Sequence, residues 1–193
     1  MKKMGIMMTD DFLAEFKRKT EENWSHTSIN PHLYGFQFQP DTRWNPGLSD
    51  REITEYEGIL NVRFPEDFKV FLRAMNGTDL LTLNVYGYSG EQHRHSLGVY
   101  SYPKDLEAVQ LRIEEVEAYR SQLTATLADQ RFALAGQDFL MPIYIHRYVV
   151  CRTGFDRSAV LSIADGDDAI VYGNSLEEYL ENEFLRPLAD HHK

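Results

Sequence analysis

Between residues 47 and 77, apolar side chains recur at the three- and four-residue spacing of two successive amphipathic helices. Ser49 and Glu52 have the spacing of a capping box, so the first helix is predicted to begin there. Its apolar face is predicted to consist of Ile53, Tyr56, Ile59 and Leu60, opposite a polar face of Asp50, Arg51, Glu55 and Glu57. We expect the apolar face to be buried.

The second helix is predicted to begin at Pro65 and to end at Asn76-Gly77. Proline fits the first helical position, and the next two residues are acidic, which suits the positive end of the helix dipole. Gly77 suits the left-handed position that follows many helices. The apolar face consists of Phe68, Phe71, Leu72 and Met75.

The segment before this helix pair is predicted to form a helix at 10–23 and then an arm at 24–46, which three prolines interrupt. In the arm, Tyr34, Phe36 and Phe38 alternate with polar residues or glycine, as in a short strand. Trp24, Tyr34 and Trp44 have two interpretations, since aromatic residues either extend a core or contact a partner. We favour core packing.

The rest of the chain alternates between predicted strands and helices. The predicted elements are a strand at 80–88, a polar loop or hairpin turn at 87–98, a strand at 99–100, a helix at 103–127, strands at 131–135 and 139–152, and a hairpin at 158–172 around Asp165-Gly166. Ser175 and Glu178 repeat the capping-box spacing and open a last helix that ends before Pro187. These elements predict an α+β fold, with an antiparallel sheet flanked by helices.

Two blocks of this sequence resemble the signature of the SUKH superfamily, also called the Smi/Knr family. The matching residues are Gly47-Leu48-Ser49, Ile53, Glu57, Leu60, the run 64–68, Phe71-Leu72, Asn76-Gly77 and the block 160–184. The resemblance implies a SUKH-like (Smi/Knr-like) domain at 46–187, with the helix and arm of residues 1–45 packed on it and a frayed tail at 188–193. Bacterial members of the family include many immunity proteins that neutralise toxins, and fungal members are linked to cell-wall glucan synthesis. No catalytic residue is known for either role.

Composition narrows the class of protein further. The chain has 193 residues, 42% of them hydrophobic, and no run of about 20 apolar residues that could span a membrane. The apolar stretch near the start is too short for a signal peptide, and the only cysteine is Cys151, so we expect a cytoplasmic protein. A net charge of −10 disfavours nucleic-acid binding and favours a cationic protein partner. The oligomeric state is left open.

Candidate catalytic and metal-binding residues do not form a motif. His93 and His95 provide two zinc ligands, and the nearest further candidates, His146 and Cys151, are distant in sequence. The acidic residues Asp165, Asp167 and Asp168 lack calcium-loop spacing, and Ser96, Ser158 and Ser162 lie outside nucleophile motifs. Cys151 is expected to be a small core residue. We therefore predict no enzyme, no catalytic or metal-binding residue and no cofactor.

Three functional hypotheses follow. The first is an intracellular immunity protein that binds a toxin through acidic and aromatic residues. The second is a noncatalytic regulator or scaffold in cell-wall synthesis. The third is a hydrolase with an unrecognised carboxylate pair, which requires a cleft with two facing acidic side chains.

Overall fold

The computed structural model describes residues 8–86, 93–152 and 157–186. Fifteen helices and strands follow one another in these ranges. They are α1 (Asp10–Ser25), β1 (Gly35–Gln37), β2 (Trp44–Pro46), α2 (Asp50–Leu60), α3 (Glu66–Ala74), β3 (Met75–Thr78), β4 (Thr82–Val85), β5 (His93–Ser96), α4 (Leu106–Ala118), α5 (Arg120–Asp129), β6 (Phe139–Tyr144), β7 (Arg147–Cys151), β8 (Val160–Ile163), β9 (Ala169–Gly173) and α6 (Leu176–Phe184). None of the helices in these ranges is long and apolar enough to cross a membrane.

All strand pairs are antiparallel. The largest sheet has the order β6-β7-β8-β9, a second sheet has the order β1-β4-β5, and β2 pairs with β3. Val99 forms an isolated antiparallel bridge to Tyr144 in β6, so residue 99 extends a sheet as predicted. The helices pack against these sheets, which confirms the predicted α+β class.

The capping box that opens α2 is present in full. The Ser49 hydroxyl accepts from the backbone N–H of Glu52, and the Glu52 carboxylate accepts from the backbone N–H of Ser49 at 2.7 Å. The predicted faces of α2 were wrong at two positions, because Ile59 is 49% exposed whereas the side chain of Glu57 is buried. Residues 53, 56, 57 and 60 follow the helical period, so Glu57 and not Ile59 lies on the buried side.

The predicted end of the second helix was also wrong. The helix α3 ends at Ala74, and Asn76 and Gly77 belong to β3, which pairs with β2. Gly77 does adopt a positive φ of 71°, as expected, but inside this strand. A side chain at Gly77 would lie within 2.7 Å of the Val99 carbonyl oxygen, so the site requires glycine for close approach as well.

The aromatic side chains of the arm differ in burial, and some lie in the core while others are exposed. Trp24 and Trp44 are buried and lie 5.4 Å apart between ring centroids, and each also contacts the ring of Phe184 in α6. Core packing is thus confirmed for both tryptophans. Tyr34 is different, because it is 49% exposed next to the short strand β1.

The predicted helix at 103–127 is two helices, α4 and α5, separated at Tyr119. The break allows α4 to pack on β6 while α5 packs on β9. The strand predicted at 131–135 was wrong, because the backbone N–H groups of Arg131 and Phe132 donate to carbonyl groups at the end of α5. These bonds close the helix and leave no strand partner.

The strand predicted at 139–152 is instead a hairpin. Its two strands, β6 and β7, are joined at Ile145 and His146, and Ile145 has a positive φ of 50°. The hairpin predicted at 158–172 is confirmed as β8 and β9.

The last helix, α6, begins after Ser175, whose hydroxyl accepts from Glu178 N–H. The Glu178 carboxylate reaches Asn174 N–H and not that of Ser175, so only half of the predicted capping box forms. The predicted tail at 188–193 lies outside the described residues.

Candidate interaction surface

The histidines considered as zinc ligands lie on different elements. His93 and His95 belong to β5, where they pair with Val85 and Leu83 of β4 in the antiparallel register. Of the two predictions for residues 87–98, a polar loop or a hairpin turn, the paired strands agree with the hairpin, although residues 93–96 are a strand and not part of the turn. The rest of the polar segment, 87–92, lies outside the described residues. His146 lies in the turn before β7 and Cys151 is the last residue of β7, about 16 Å away along an extended chain. Among the residues that the structure describes, no group of three or more potential metal ligands occurs.

Cys151 is a buried core residue, as expected. Burial raises the pKa of its thiol well above the ordinary value, and the nearby carboxylates of Asp67 and Glu57 act in the same direction. The thiol therefore stays protonated and is a poor nucleophile.

Two of the three candidate serines, Ser158 and Ser162, are hydrogen-bonded to charged side chains. The Ser158 hydroxyl donates to Asp67 at 2.6 Å, and the Ser162 hydroxyl accepts from Arg147 at 2.8 Å. Neither bond is the serine–imidazole pair of a hydrolytic triad.

The acidic residues of the β8–β9 turn have a structural role. One Asp165 carboxylate oxygen accepts from the backbone N–H groups of Asp167 and Asp168, at 2.9 Å each. This local bonding is typical of an aspartate in a tight turn, which agrees with the turn interpretation.

Two buried carboxylates were not predicted from the sequence. Glu57 accepts from the backbone N–H of Phe64 at 2.7 Å and pairs with Lys69 at 3.0 Å, so it fixes the turn between α2 and α3. Asp67 accepts from the backbone N–H and the hydroxyl of Ser158. Glu57 therefore stabilises the helix pair, whereas Asp67 attaches the segment before β8 to the start of α3.

Five of the clefts formed by the described residues each have one carboxylate in their lining. One of them, about 460 Å³, lies between the arm and α6, and its carboxylate is that of Glu183. The facing acidic pair that the hydrolase hypothesis requires does not occur in these clefts.

A groove of about 330 Å³, here called the arm groove, runs between the arm, the β6–β7 turn and the end of α6. Tyr34 and Ile170, both about half exposed, lie at its mouth. Beneath them Arg147 donates to Glu183 and to Ser162 at 2.8 Å, and its guanidinium lies 4.3 Å from the Tyr172 ring centroid. The charge at the floor is therefore neutralised within the protein, and the mouth is apolar.

A second exposed surface, here called the α4 face, consists of the residues that follow one another at four-residue spacing along α4: Glu107, Leu111, Glu115 and Tyr119. Leu111 is 54% exposed and Tyr119 is 40% exposed. Two clefts of about 230 and 280 Å³ flank this face, and Arg112 and Glu115 border both.

The β6–β7 turn connects the two surfaces. Ile145 lines the arm groove and the 230 Å³ cleft, and His146 lines the arm groove and the 280 Å³ cleft. Burial, together with the positive charges of Arg147 and Arg112, lowers the pKa of His146 to about 4. The imidazole is therefore neutral at pH 7, and the turn adds no positive charge.

The protein is an α+β domain with a capped helix pair, antiparallel sheets and clefts bordered by exposed apolar side chains. The sequence model of the SMI1 / KNR4 family (SUKH-1) matches residues 47–182, more than two thirds of the chain. The chain belongs to this family, whose members are commonly immunity proteins and generally noncatalytic. No curated protein matches the chain.

Proposed function

We propose that this chain is a noncatalytic immunity protein that binds a toxin inside the cell and blocks its action. The observation that carries the proposal is that exposed apolar side chains border three clefts of this chain. Tyr34, Leu111, Tyr119 and Ile170 border them, whereas the thiol of Cys151 is buried. Exposed apolar residues beside recesses are typical of protein-binding surfaces.

Charge supports the same proposal. The chain carries a net charge of −10, which accelerates association with a positively charged partner and makes the rate sensitive to salt. Many toxins act on nucleic acid and need a basic surface to hold phosphate groups. An acidic inhibitor would meet such a surface with complementary charge.

The test is co-expression with the toxin encoded beside this gene. We expect the chain to restore growth and to elute with an active-site-inactivated form of the toxin as one stoichiometric complex. An immunity protein that is cognate to a different toxin serves as the control, and it should do neither. If no product of a neighbouring gene binds the chain and none is neutralised, the proposal is wrong. A change in wall composition on deletion, in cells that meet no toxin, would instead favour the cell-wall hypothesis.

A further inference from the structure

The exposed side of α4 differs from an ordinary solvated helix face. Val109 and Val116 of α4 are buried against the sheet. On the exposed side, Leu111 and Tyr119 interrupt a row of glutamates with large apolar groups. Single exposed apolar residues are common, but these two lie on the same helix face and both border a cleft.

Each of the two clefts combines apolar and aromatic side chains with the charged side chains of Arg112 and Glu115. Leu111 shares the 230 Å³ cleft with Leu97 and Tyr100, and Tyr119 shares the 280 Å³ cleft with Tyr148 and Ile163. An ion pair of 2.8 Å between Arg112 and Glu115 separates the clefts. Each recess thus offers apolar contact beside a charged pair, and a few anchored side chains from a partner dominate binding energies at such sites.

The charge along α4 is strongly negative. The helix contains four glutamates, Glu107, Glu114, Glu115 and Glu117, and one positively charged residue, Arg112. Glu115 pairs with Arg112, and Glu117 pairs with Arg120 at 3.1 Å. Within the described ranges, Glu107 and Glu114 form no ion pair. Their charges are therefore free to interact with a partner.

We propose that the α4 face is the docking surface for the toxin, and that the toxin presents to it a basic patch with apolar side chains at the centre. This inference rests on the proposed function. The apolar side chains would enter the two clefts, and lysine or arginine residues around them would pair with Glu107 and Glu114. Charge complementarity selects this face over the arm groove, because Arg147 and Glu183 already neutralise each other at the floor of the groove.

Two double variants test the surface, one for apolar contact and one for charge. Leu111→Ala/Tyr119→Ala should weaken binding of the inactivated toxin by about tenfold or more, mainly through faster dissociation. Glu107→Lys/Glu114→Lys should slow association by about tenfold at low salt, and the difference should shrink as salt is added. Surface plasmon resonance over a range of salt concentrations measures both rates.

Matched controls lie on other exposed surfaces. Ile59→Ala removes an equally exposed apolar group from α2, and Glu55→Lys/Glu181→Lys changes the net charge by the same amount as the α4 charge variant. Both should bind within about twofold of the native chain. Circular dichroism and thermal unfolding establish that each variant is folded.

The outcomes separate this inference from the proposed function. If the native chain binds the toxin and all four variants bind equally well, the α4 face is not the docking surface, and the immunity function stands. If the charge control slows association as much as the α4 charge variant does, the effect is one of net charge and the assignment is wrong. If the native chain itself binds no neighbouring toxin, the function and the surface both fail.

Discussion

Asp67, at the start of α3, holds Ser158 through two hydrogen bonds, at 2.7 Å from its backbone N–H and 2.6 Å from its hydroxyl, although the residues are 91 positions apart. Both residues are buried. The interaction attaches the segment that leads into β8 to the first turn of α3. It links the first block of the family signature to the residues just before the second block.

Removing Asp67 should therefore destabilise the fold more than removing the Ser158 hydroxyl. Asp67→Ala leaves a buried N–H and a buried hydroxyl without their acceptor, and we expect a loss of about 3 kcal/mol in the free energy of unfolding. Ser158→Ala removes only the hydroxyl bond, so we expect a loss of about 1 to 2 kcal/mol. Urea unfolding of both single variants and of the double variant measures the coupling. Strictly additive losses would contradict a direct interaction.

Glu57 gives a second prediction about stability. Its carboxylate accepts from Phe64 N–H and pairs with Lys69 while almost fully buried. Glu57→Ala should cost about 3 kcal/mol, because it leaves a buried N–H unpaired and removes the partner of a half-buried lysine. Glu57→Gln should cost less, since an amide oxygen still accepts from the N–H. Thermal unfolding provides the measurement, and the exposed Glu55→Ala, two positions away, provides the control. Equal losses for Glu57→Ala and Glu55→Ala would show that burial of Glu57 is unimportant.

Local signals in the sequence were sufficient to predict the two helices of the helix pair, but not the distant segments that these helices contact. The capping box at Ser49 and the turn at Asp165 depend on residues three positions or fewer apart, and both formed as predicted. The burial of Glu57 was also available from the helical period, since it lies four residues after Ile53. Glu57 was nevertheless assigned to the polar face, because acidic residues are usually exposed to solvent.

Contacts between distant segments were beyond sequence reasoning. The partner of Asp67 depends on the path of the chain over 91 residues. The break at Tyr119 depends on α4 and α5 packing against different strands, because the apolar period runs through both helices without interruption. The clefts beside the α4 face have walls from the segment after β5, from the β6–β7 hairpin and from the end of β8, and the sequence of α4 alone does not indicate these neighbours.

His146 should make stability depend on pH. The ordinary pKa of histidine is 6.5, and burial, with Arg147 and Arg112, lowers the pKa of folded His146 to about 4. Below pH 6.5 the unfolded chain therefore binds a proton that the folded chain rejects, so the free energy of unfolding should fall between pH 6.5 and 4 and level off below 4. Because the ring is only partly buried, we expect a loss of about 1 to 2 kcal/mol from this group.

The control for His146 is His146→Gln, which cannot titrate. Carboxylates also titrate near pH 4, so the informative quantity is the difference in unfolding free energy between the native chain and the variant at each pH. This difference should be constant above pH 7 and should change in favour of the variant as the pH falls to 4. A difference that is constant from pH 8 to pH 4 would contradict the lowered pKa.

Gln130 should protect the exposed edge of the four-stranded sheet. The strand β9 is at the end of that sheet, and the Gln130 amide donates to the Ala169 carbonyl at 2.6 Å and accepts from the Val171 N–H at 3.2 Å. The Gln130 side chain thus satisfies two backbone groups of β9 that a neighbouring strand would otherwise satisfy. Sheet edges with unsatisfied backbone groups promote association between chains. Gln130→Ala should lower stability by about 1 kcal/mol and cause association that increases with concentration. Sedimentation velocity measures the association, and Gln110→Ala on the exposed side of α4 is the control. If Gln130→Ala sediments like Gln110→Ala at all concentrations, the Gln130 side chain does not prevent association at the β9 edge.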